Sequence, residues 1–409
     1  MRTNGLPITN SPNLASFWQK LTGLGILLLG LSLAARAAQA PALKEVFKDD
    51  FMMGTAINRM VATGKASGWR TQEQVDRDVV QVLGHFNQVT AENDHKWALI
   101  HPREGADGYD FTGADALVDF GTRHGMVVVG HTLVWHSQTP NWVFAGEQSA
   151  PAVDAARGPR RPGGGAGRWD YDGPRATREQ LLERMRDHIH TVVGRYKGRI
   201  WAWDVVNEAL SDSGTEVLRD SLWHQIIGPD YIAKAFEFAH EADPEAVLRY
   251  NDYGLENPAK RRKLSVLIQS LQEKGVPVMA IGTQAHLNVT SAGFEGMDAA
   301  LSDMEKLGLP IHVTELDINS AQGGQRNTNA DVADNGAATQ GGLVSEADRQ
   351  LAAAYEGVFR AFLKHKDSIE MVTFWGPNDA NSWRRNGSPL LFNTEGQPKP
   401  AFDAVIRLR

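Results

Sequence analysis

Two glutamates, Glu208 and Glu315, have types and positions that could do acid–base chemistry. Glu208 ends the run Trp-Asp-Val-Val-Asn-Glu, and Glu315 lies in the run Val-Thr-Glu-Leu-Asp. An apolar, β-branched run that ends in an acid is how a parallel sheet presents a charged group at its carboxyl edge, where ligands bind. A lone glutamate at such a place more often caps a helix or pairs with an arginine. Two of them with polar neighbours predict an acid–base site.

Two such acids can together hydrolyse a glycosidic bond. One protonates the leaving oxygen, while the other attacks the anomeric carbon or activates water there. Asn207 precedes Glu208 and would place an amide beside the acid, suited to a sugar hydroxyl next to the reacting carbon. His286 and Asp317 would tether Glu315. The pair therefore favours a carbohydrate hydrolase.

The elements that must position these acids form a repeating pattern beyond residue 41. Short apolar runs alternate with amphipathic stretches of helical length, which is typical of strand–helix units with a parallel sheet. We count about eight units, with strands predicted at 51–58, 87–93, 126–135, 200–208, 246–253, 278–286, 311–317 and 369–375. Eight units without a visible linker predict an α/β fold, a single-domain (β/α)8 TIM barrel.

One helix and two loops stand out in this pattern. The helix predicted at 177–193 has its apolar residues on one face, and Thr177 with Gln180 resembles a capping box at its start. The stretches 145–175 and 319–342 lack periodicity and are predicted to be long βα loops after the third and seventh strands. Such loops lie on the ligand-binding face of a barrel, although many are simply surface.

Polar and aromatic residues recur at the predicted strand ends, on the rim where a barrel binds its ligand. Singly, such residues are more often structural hydrogen-bond partners, so their convergence carries the prediction. Amide, lysine and histidine groups suit sugar hydroxyls, and aromatic rings suit the C–H face of a pyranose. The residues concerned, besides the two acids and their neighbours, are Asn58, Asn93, Lys96, His131, Trp135, His136, Gln138, Asn207, Asn251, Tyr253, Gln284, Trp375 and Trp383.

Composition excludes several other functions. The formal net charge of -7 argues against nucleic acid as a partner, because nucleic-acid-binding proteins usually carry a basic face. The chain has no cysteine, which excludes disulfides, zinc–thiolate sites and thiol catalysis. His131 with His136, and Asp94 with His95, do not form a zinc-ligand pattern. We expect no metal, no cofactor and, since no oligomer interface can be recognised, a monomer.

The amino terminus resembles a secretory signal peptide. An almost wholly apolar run at 21–35 is followed by the small-residue patterns Ala-Arg-Ala at 35–37 and Ala-Gln-Ala at 38–40. The run is shorter than the ~20 residues of a bilayer span, although a retained signal anchor is the competing interpretation. We expect residues 1–40 to be a signal peptide, cut near Ala37, Ala38 or Ala40. The mature protein would then be periplasmic or extracellular, without a membrane attachment.

Four sequence blocks resemble the motifs of glycoside hydrolase family 10, the endo-β-1,4-xylanases. They are VTAENDHKW at 89–97, GHTLVWHSQ at 130–138, WDVVNE at 203–208 and TELD at 314–317. The match runs in order from about residue 51 to residue 402. The resemblance implies a (β/α)8 catalytic domain over residues 41–409 that hydrolyses internal bonds of xylan, with retention, through a covalent glycosyl–enzyme intermediate.

The resemblance also implies roles for individual residues. Glu208 matches the general acid/base and Glu315 the nucleophile, which His286 and Asp317 orient and tune. The implied substrate-binding residues are Glu92, Asn93 and Lys96 for the sugar one removed from the cleavage point, His131, Asn207, Gln284, Trp375 and Trp383 for the cleaved sugar, Tyr253 for the leaving-group side, and, on the same rim, Trp135 and Gln138.

Two alternatives remain open from the sequence. An enzyme of the same family could act on short xylo-oligosaccharides or on an aryl β-cellobioside-like glucan, since rejecting one hydroxymethyl group is worth only ~1 to 3 kcal/mol. A non-catalytic carbohydrate-binding barrel is the other, because this fold hosts many functions. A pure binder would have no need of a proton donor opposite a nucleophile.

Overall fold

The computed structural model describes residues 41–146, 171–320 and 345–409. Within these ranges, parallel strands alternate with helices along the chain. The strands are β1 Met52–Ile57, β2 Gln88–Ala91, β3 Val127–Trp135, β4 Ala202–Asn207, β5 Val247–Asp252, β6 Ala280–Thr283, β7 His286–Asn288, β8 Ile311–Asn319 and β9 Ile369–Phe374.

The helices cover the outside of the sheet. They are α1 Leu43–Val46, α2 Arg59–Thr63, α3 Gln72–His85, α4 Trp97–Ile100, α5 Thr112–Arg123, α6 Arg178–Arg195, α7 Leu222–Ile227, α8 Tyr231–Ala242, α9 Pro258–Glu273, α10 Phe294–Glu305, α11 Glu346–Lys364 and α12 Pro400–Ile406. No helix within the described ranges is both long and apolar enough to span a bilayer.

Eight of the strands close into a barrel. Neighbours pair in parallel in the order β6-β5-β4-β3-β2-β1-β9-β8, and a further pairing of β6 with β8 closes the ring. The short β7 pairs with β8 alone at its carboxyl end. The predicted (β/α)8 barrel is therefore confirmed.

The strand predicted at 278–286 is wrong as a continuous element. It is interrupted at Gln284 and Ala285, where Ala285 takes a left-handed conformation with φ of 54°. The backbone still bonds its neighbours there, since the Glu315 amide donates to the Gln284 carbonyl at 3.1 Å. The break shifts the register, so that His286 begins the separate strand β7.

The barrel interior is filled by large side chains and one buried ion pair. Gly130 on β3 lies against Trp203 on β4, and a Cβ at Gly130 would come within 2.2 Å of that ring. The Arg249 guanidinium donates to Asp204 at 2.5 Å, and both side chains are almost fully buried. Because an uncompensated buried charge is strongly destabilising, the two residues depend on each other.

The predicted signal peptide at 1–40 and most of both predicted long loops, at 147–170 and 321–344, lie outside the described residues. The described end of the first loop is anchored. Ala145 forms an isolated antiparallel bridge with Arg175, and the Ala176 amide donates to the Phe144 carbonyl at 2.8 Å. The two ends of this loop therefore meet beside the start of α6.

The predicted start of the helix after this loop is confirmed. The Gln180 amide donates to the Thr177 hydroxyl at 3.2 Å, and the Thr177 amide donates to the Gln180 side chain at 2.9 Å. These reciprocal bonds form a capping box, which satisfies two backbone donors that the helix itself leaves unpaired.

Thr177→Ala should lower the free energy of unfolding by about 1 kcal/mol, because it removes the cap while leaving an exposed position otherwise unchanged. Urea unfolding followed by circular dichroism measures the difference. Thr177→Ser keeps the hydroxyl and should stay close to the wild type. Equal losses in both variants would show that the hydroxyl is not what stabilises this helix.

Candidate active site

The two acids both lie at the carboxyl edge of the barrel. Glu208 directly follows β4, and Glu315 lies within β8. Glu208 has a left-handed backbone with φ of 56°, which is strained for a residue with a side chain by about 1 to 3 kcal/mol. Such a conformation persists only where its surroundings fix it. Here the Glu208 amide donates to the Asn251 carbonyl of β5 at 2.9 Å.

Three amide side chains connect the two acids, and we call Asn207, Asn251 and Gln284 the amide bridge. Gln284 donates to Glu208 Oε1 at 3.0 Å and to Asn207 Oδ1 at 3.3 Å. Asn251 donates to Asn207 Oδ1 at 3.0 Å and to Glu315 Oε1 at 2.9 Å. The bridge therefore runs without a break from one carboxyl group to the other.

One donor of the amide bridge has no partner among the described residues. The Nδ2 atom of Asn207 is buried and makes no hydrogen bond there. Buried polar groups are nearly always bonded, so an orphan donor beside two acids is suited to a ligand oxygen.

Glu315 is buried, and two histidines compensate its charge. His286 Nε2 lies 3.1 Å from Glu315 Oε2, and His131 Nδ1 lies 4.0 Å from Glu315 Oε1. Burial alone would raise the pKa of Glu315, but His131 and His286 outweigh it and hold the pKa below the usual value. Glu315 is therefore ionised at neutral pH.

Each histidine is held by a further carboxylate. His131 Nδ1 lies 2.8 Å from Asp204 Oδ2, and His286 Nδ1 lies 3.1 Å from Asp317 Oδ2. Burial lowers the pKa of His286, but Asp317 and Glu315 together raise it to about 9. His286 is therefore an imidazolium that bridges two carboxylates.

Trp383 and Arg384 contact Asp317, and Trp375 packs on the same side of the site. The Trp383 indole donates to Asp317 Oδ2 at 2.8 Å, and an Arg384 nitrogen lies 3.2 Å from Oδ1. The Trp383 ring lies 5.1 Å from that of His286, and the ring of Trp375 lies 5.2 Å from that of His131. Both tryptophans thus pack against the histidines that face Glu315. Burial would raise the pKa of Asp317, but Arg384 and His286 keep it below its usual range.

Trp135 and Lys96 lie on the Glu208 side. The Trp135 indole donates to Glu208 Oε2 at 2.8 Å, so this predicted sugar-binding residue contacts the acid itself. The Lys96 ammonium lies 5.2 Å from the centre of the Trp135 ring and donates to Asn93 Oδ1 at 2.9 Å. Burial lowers the pKa of Lys96, although Glu315 and Glu92 oppose this effect.

Tyr253 and Glu208 accept hydrogen bonds from the same arginine, Arg219. The Arg219 guanidinium donates to the Tyr253 hydroxyl at 2.8 Å and to the backbone carbonyl of Glu208 at 3.0 Å. The Tyr253 hydroxyl in turn donates to Asp212 at 2.7 Å. Tyr253 thus forms one wall beside the acid.

Among the predicted rim residues, Asn58 caps α2 and donates to Asn381 Oδ1 at 3.0 Å, away from the acids. Gln138 is another residue that the structure does not connect to the acids. Its carbonyl accepts from the Ala98 amide at 2.9 Å, and its backbone is left-handed with φ of 48°. Among the described residues, its side chain makes no hydrogen bond to Glu208 or Glu315. Nor do the described residues contain a group of three or more His, Asp or Glu side chains that could hold a metal ion.

Several residues of the site were missed by the sequence analysis. Asp204 gave a usable signal, since it lies four residues before Glu208 in the predicted strand 200–208 and regular alternation would put both on one face. The others are charged residues on loops, on helix α9 or on a distant strand, whose contacts depend on the closed barrel: Asp212, Arg219, Arg249, Lys260 and Arg384.

The closed parallel barrel carries two glutamates at its carboxyl edge, which are joined through the side chains of three amide residues. This fold and this site define a barrel glycoside hydrolase. The model of the family described as "Glycosyl hydrolase family 10" matches residues 42–408. The chain belongs to this family.

Individual relatives cover nearly the whole chain. An endo-1,4-beta-xylanase of Geobacillus stearothermophilus is 38% identical over 90% of this chain and 98% of its own length. A beta-1,4-xylanase of Dictyoglomus thermophilum is 36% identical over 93% of this chain and 96% of its own. Among solved structures, xylanase XynB from Paenibacillus barcinonensis, complexed with a conduramine derivative, superposes with a TM-score of 0.73 at 36% identity, over 90% of this chain and 99% of that one.

His286 should titrate with a midpoint near pH 9, because a carboxylate lies 3.1 Å from each of its ring nitrogens, Glu315 at Nε2 and Asp317 at Nδ1. Asp317→Asn removes one of these charges and should move the midpoint down by about 1 pH unit or more. Histidine-detected ¹⁵N NMR of the two proteins measures both midpoints.

The matched control is Asp298→Asn, which faces His365 at 2.8 Å at the other end of the barrel. It should leave the His286 midpoint unchanged. The pKa of His286 is above the ordinary 6.5, so its stabilisation of the fold is complete below about pH 6.5 and is lost as the pH rises through about 9. A midpoint that Asp317→Asn leaves in place would contradict the assignment of Asp317 as the partner.

Proposed function

We propose that this protein is a retaining endo-β-1,4-xylanase that hydrolyses internal bonds of xylan and xylo-oligosaccharides. The observation that carries the proposal is the unlike environment of the two linked acids. Glu315 is kept ionised between two histidines, while the direct hydrogen-bond donors of the Glu208 carboxyl group are the uncharged Trp135 and Gln284. Relatives that match nearly the whole chain carry the name xylanase.

The first chemical step uses the two acids in different roles. The Glu315 carboxylate attacks the anomeric carbon and forms a glycosyl ester, while Glu208 gives its proton to the oxygen of the departing sugar. The C–O bond to the leaving sugar breaks with both electrons on that oxygen. The nucleophile must be ionised for this attack, which is the state that His131 and His286 favour.

The second step reverses the roles. Glu208, now a carboxylate, takes a proton from water as the water attacks the anomeric carbon, and Glu315 leaves with the electrons of the ester bond. The imidazolium of His286, which lies 3.1 Å from Glu315 Oε2, stabilises the returning negative charge. Two displacements at one carbon retain the configuration.

The remaining residues of the rim bind the sugar. The orphan Nδ2 of Asn207 would donate to the hydroxyl next to the anomeric carbon. Asn93 and Lys96, joined at 2.9 Å, would bind the next sugar along with Glu92. Trp375 and Trp383 supply flat apolar faces, and no cofactor is required for either step.

Two alternatives are less well supported. A non-catalytic binder would not need an ionised nucleophile linked to a proton donor through three buried amides. The other alternative is a preference for short xylo-oligosaccharides or for a glucan. It keeps the two acids and differs only in how the outer rim binds the substrate. Initial rates on xylan, carboxymethyl cellulose and xylobiose, measured side by side, separate it from xylan hydrolysis.

Hydrolysis of glucuronoxylan should release internal fragments whose new reducing ends first appear as the β-anomer. In a retaining enzyme the two carboxyl groups lie ~5 to 5.5 Å apart, which leaves no room for an inverting water. Time-resolved ¹H NMR of the anomeric protons, with chromatography of the products, measures configuration and endo mode together.

Glu315→Ala should lower the rate on the order of 10⁴-fold or more, as expected when a nucleophile is removed. Asp298→Asn, at the other end of the barrel, is the control and should keep the activity. Initial release of the α-anomer would overturn the retaining mechanism, and substantial xylanase activity in Glu315→Ala would overturn the assignment of the nucleophile.

We further propose that the protein is exported and acts as a monomer outside the cytoplasm. The support is the apolar run at 21–35 with its small-residue patterns at 35–37 and 38–40. A polysaccharide such as xylan is too large to enter a cell, so an enzyme that cuts it internally would work outside the inner membrane.

Expression of the full chain in a bacterial host should yield a shortened protein in the periplasm or medium, with a new amino terminus at residue 38, 39 or 41. Intact-mass measurement and amino-terminal sequencing locate the cut. Deletion of residues 2–37 should leave active enzyme in the cytoplasm. A protein that keeps its full mass in the membrane fraction would instead support a retained signal anchor.

A further inference from the structure

The left-handed backbone of Glu208 is held from two sides. Its amide donates to the Asn251 carbonyl at 2.9 Å, and its carbonyl accepts from Arg219 Nε at 3.0 Å. Without such bonds, a residue with a side chain favours negative φ, and rotation there would turn the carboxyl group away. The direction of the Glu208 side chain thus depends on Arg219 as well as on the sheet.

Arg219 is itself fixed by its other contacts. Its terminal nitrogen donates to Asp212 Oδ2 and to the Tyr253 hydroxyl, both at 2.8 Å. Its own amide donates to the Ala209 carbonyl at 2.7 Å, which closes the loop 209–219. One planar guanidinium therefore joins the Glu208 backbone to the wall formed by Tyr253.

Asp212 fixes the positions of Arg219 and Tyr253. It accepts from Arg219 and Tyr253, and its other oxygen accepts from Lys260 at 2.8 Å. Lys260 also lies 2.9 Å from the buried Asp252 and 3.4 Å from the centre of the Tyr253 ring. The positions of these side chains are therefore coupled, and Arg219 is the member of the group that bonds Glu208.

We propose that Arg219 is a positioning residue for catalysis, which aims the Glu208 carboxyl group at the glycosidic oxygen by holding the Glu208 carbonyl. The inference rests on the proposed function, because it needs Glu208 to be the proton donor. A general acid must lie within hydrogen-bond reach of the oxygen that it protonates. A small rotation of the backbone is enough to lose that contact while Glu315 stays in place.

If Arg219 has this role, the effect of losing it should depend on the leaving group of the substrate. A good leaving group such as 2,4-dinitrophenolate departs without a proton, whereas phenolate depends on protonation. Loss of Arg219 should therefore slow glycosylation only for the poor leaving group. A residue that merely stabilised the fold would affect both substrates to the same extent.

The test compares kcat/KM of Arg219→Met and wild type on phenyl and 2,4-dinitrophenyl β-xylobioside, since kcat/KM reports the glycosylation step. We expect a loss of about 10- to 100-fold on the phenyl substrate, part of the ~10²- to 10⁴-fold contribution of a general acid. On the dinitrophenyl substrate we expect no appreciable loss. The loss should appear in kcat, with KM little changed.

Three further variants sharpen the result. Arg219→Lys keeps the charge but lacks the planar fork, so it should show the same leaving-group dependence. Asp212→Asn should show it more weakly, and it provides a measurement if Arg219→Met does not fold by circular dichroism. Arg360→Met, a matched change at an exposed arginine paired with Glu356, should behave as the wild type.

Equal losses on both substrates would overturn the role of Arg219, as would full activity in Arg219→Lys, which would make the charge alone sufficient. These outcomes leave the proposed function intact, because the wild type would still hydrolyse both substrates. A wild type that hydrolyses neither aryl xylobioside nor xylan would instead overturn the proposed function.

Discussion

The charge on the buried Glu315 is the constraint on which the rest of the site depends. Burial of a carboxylate is costly, and in this protein the cost is offset by two histidines rather than by a direct contact with lysine or arginine. Each histidine also contacts a second carboxylate: His131 contacts Asp204, and His286 contacts Asp317. Glu315 can therefore stay ionised beside the imidazolium of His286, which also faces Asp317.

The charges of the two outer carboxylates, Asp204 and Asp317, are in turn compensated by arginines. Asp204 is paired with Arg249 inside the barrel, and Asp317 lies 3.2 Å from Arg384 on the loop after β9. Arginine keeps its charge at any working pH and bonds carboxylates through a planar fork, so it is well suited to end such a chain. The arrangement is anchored at one end in the core and at the other in the loop that carries Trp383. Trp383, which donates to Asp317, is thus part of the same series of contacts that ends at Glu315.

The sequence was sufficient for the barrel, since eight apolar runs with helical spacing have few other solutions. It also placed Glu208 and Glu315 at the carboxyl edge of the sheet, where the structure has them, because a strand end fixes where a side chain emerges. It could not predict the break at Ala285 or the left-handed backbone of Glu208, since neither residue type favours positive φ. Nor could it pair Arg219 with Glu208, which are eleven positions apart on a loop whose path depends on tertiary contacts.

The unlike environments of the two acids explain how one residue type can play two roles. Glu208 accepts from the indole of Trp135 and the amide of Gln284, which carry no charge, whereas Glu315 faces an imidazolium. In the proposed mechanism Glu315 loses its negative charge when it becomes an ester, so that ionisation of Glu208 no longer places two charges in one cleft. The amide bridge keeps the two carboxyl groups in place during this exchange, because Gln284 donates to Glu208 and Asn251 donates to Glu315 without either amide giving up a proton of its own. In the proposed mechanism one negative charge therefore moves between two carboxyl groups, and the barrel fixes the positions of both.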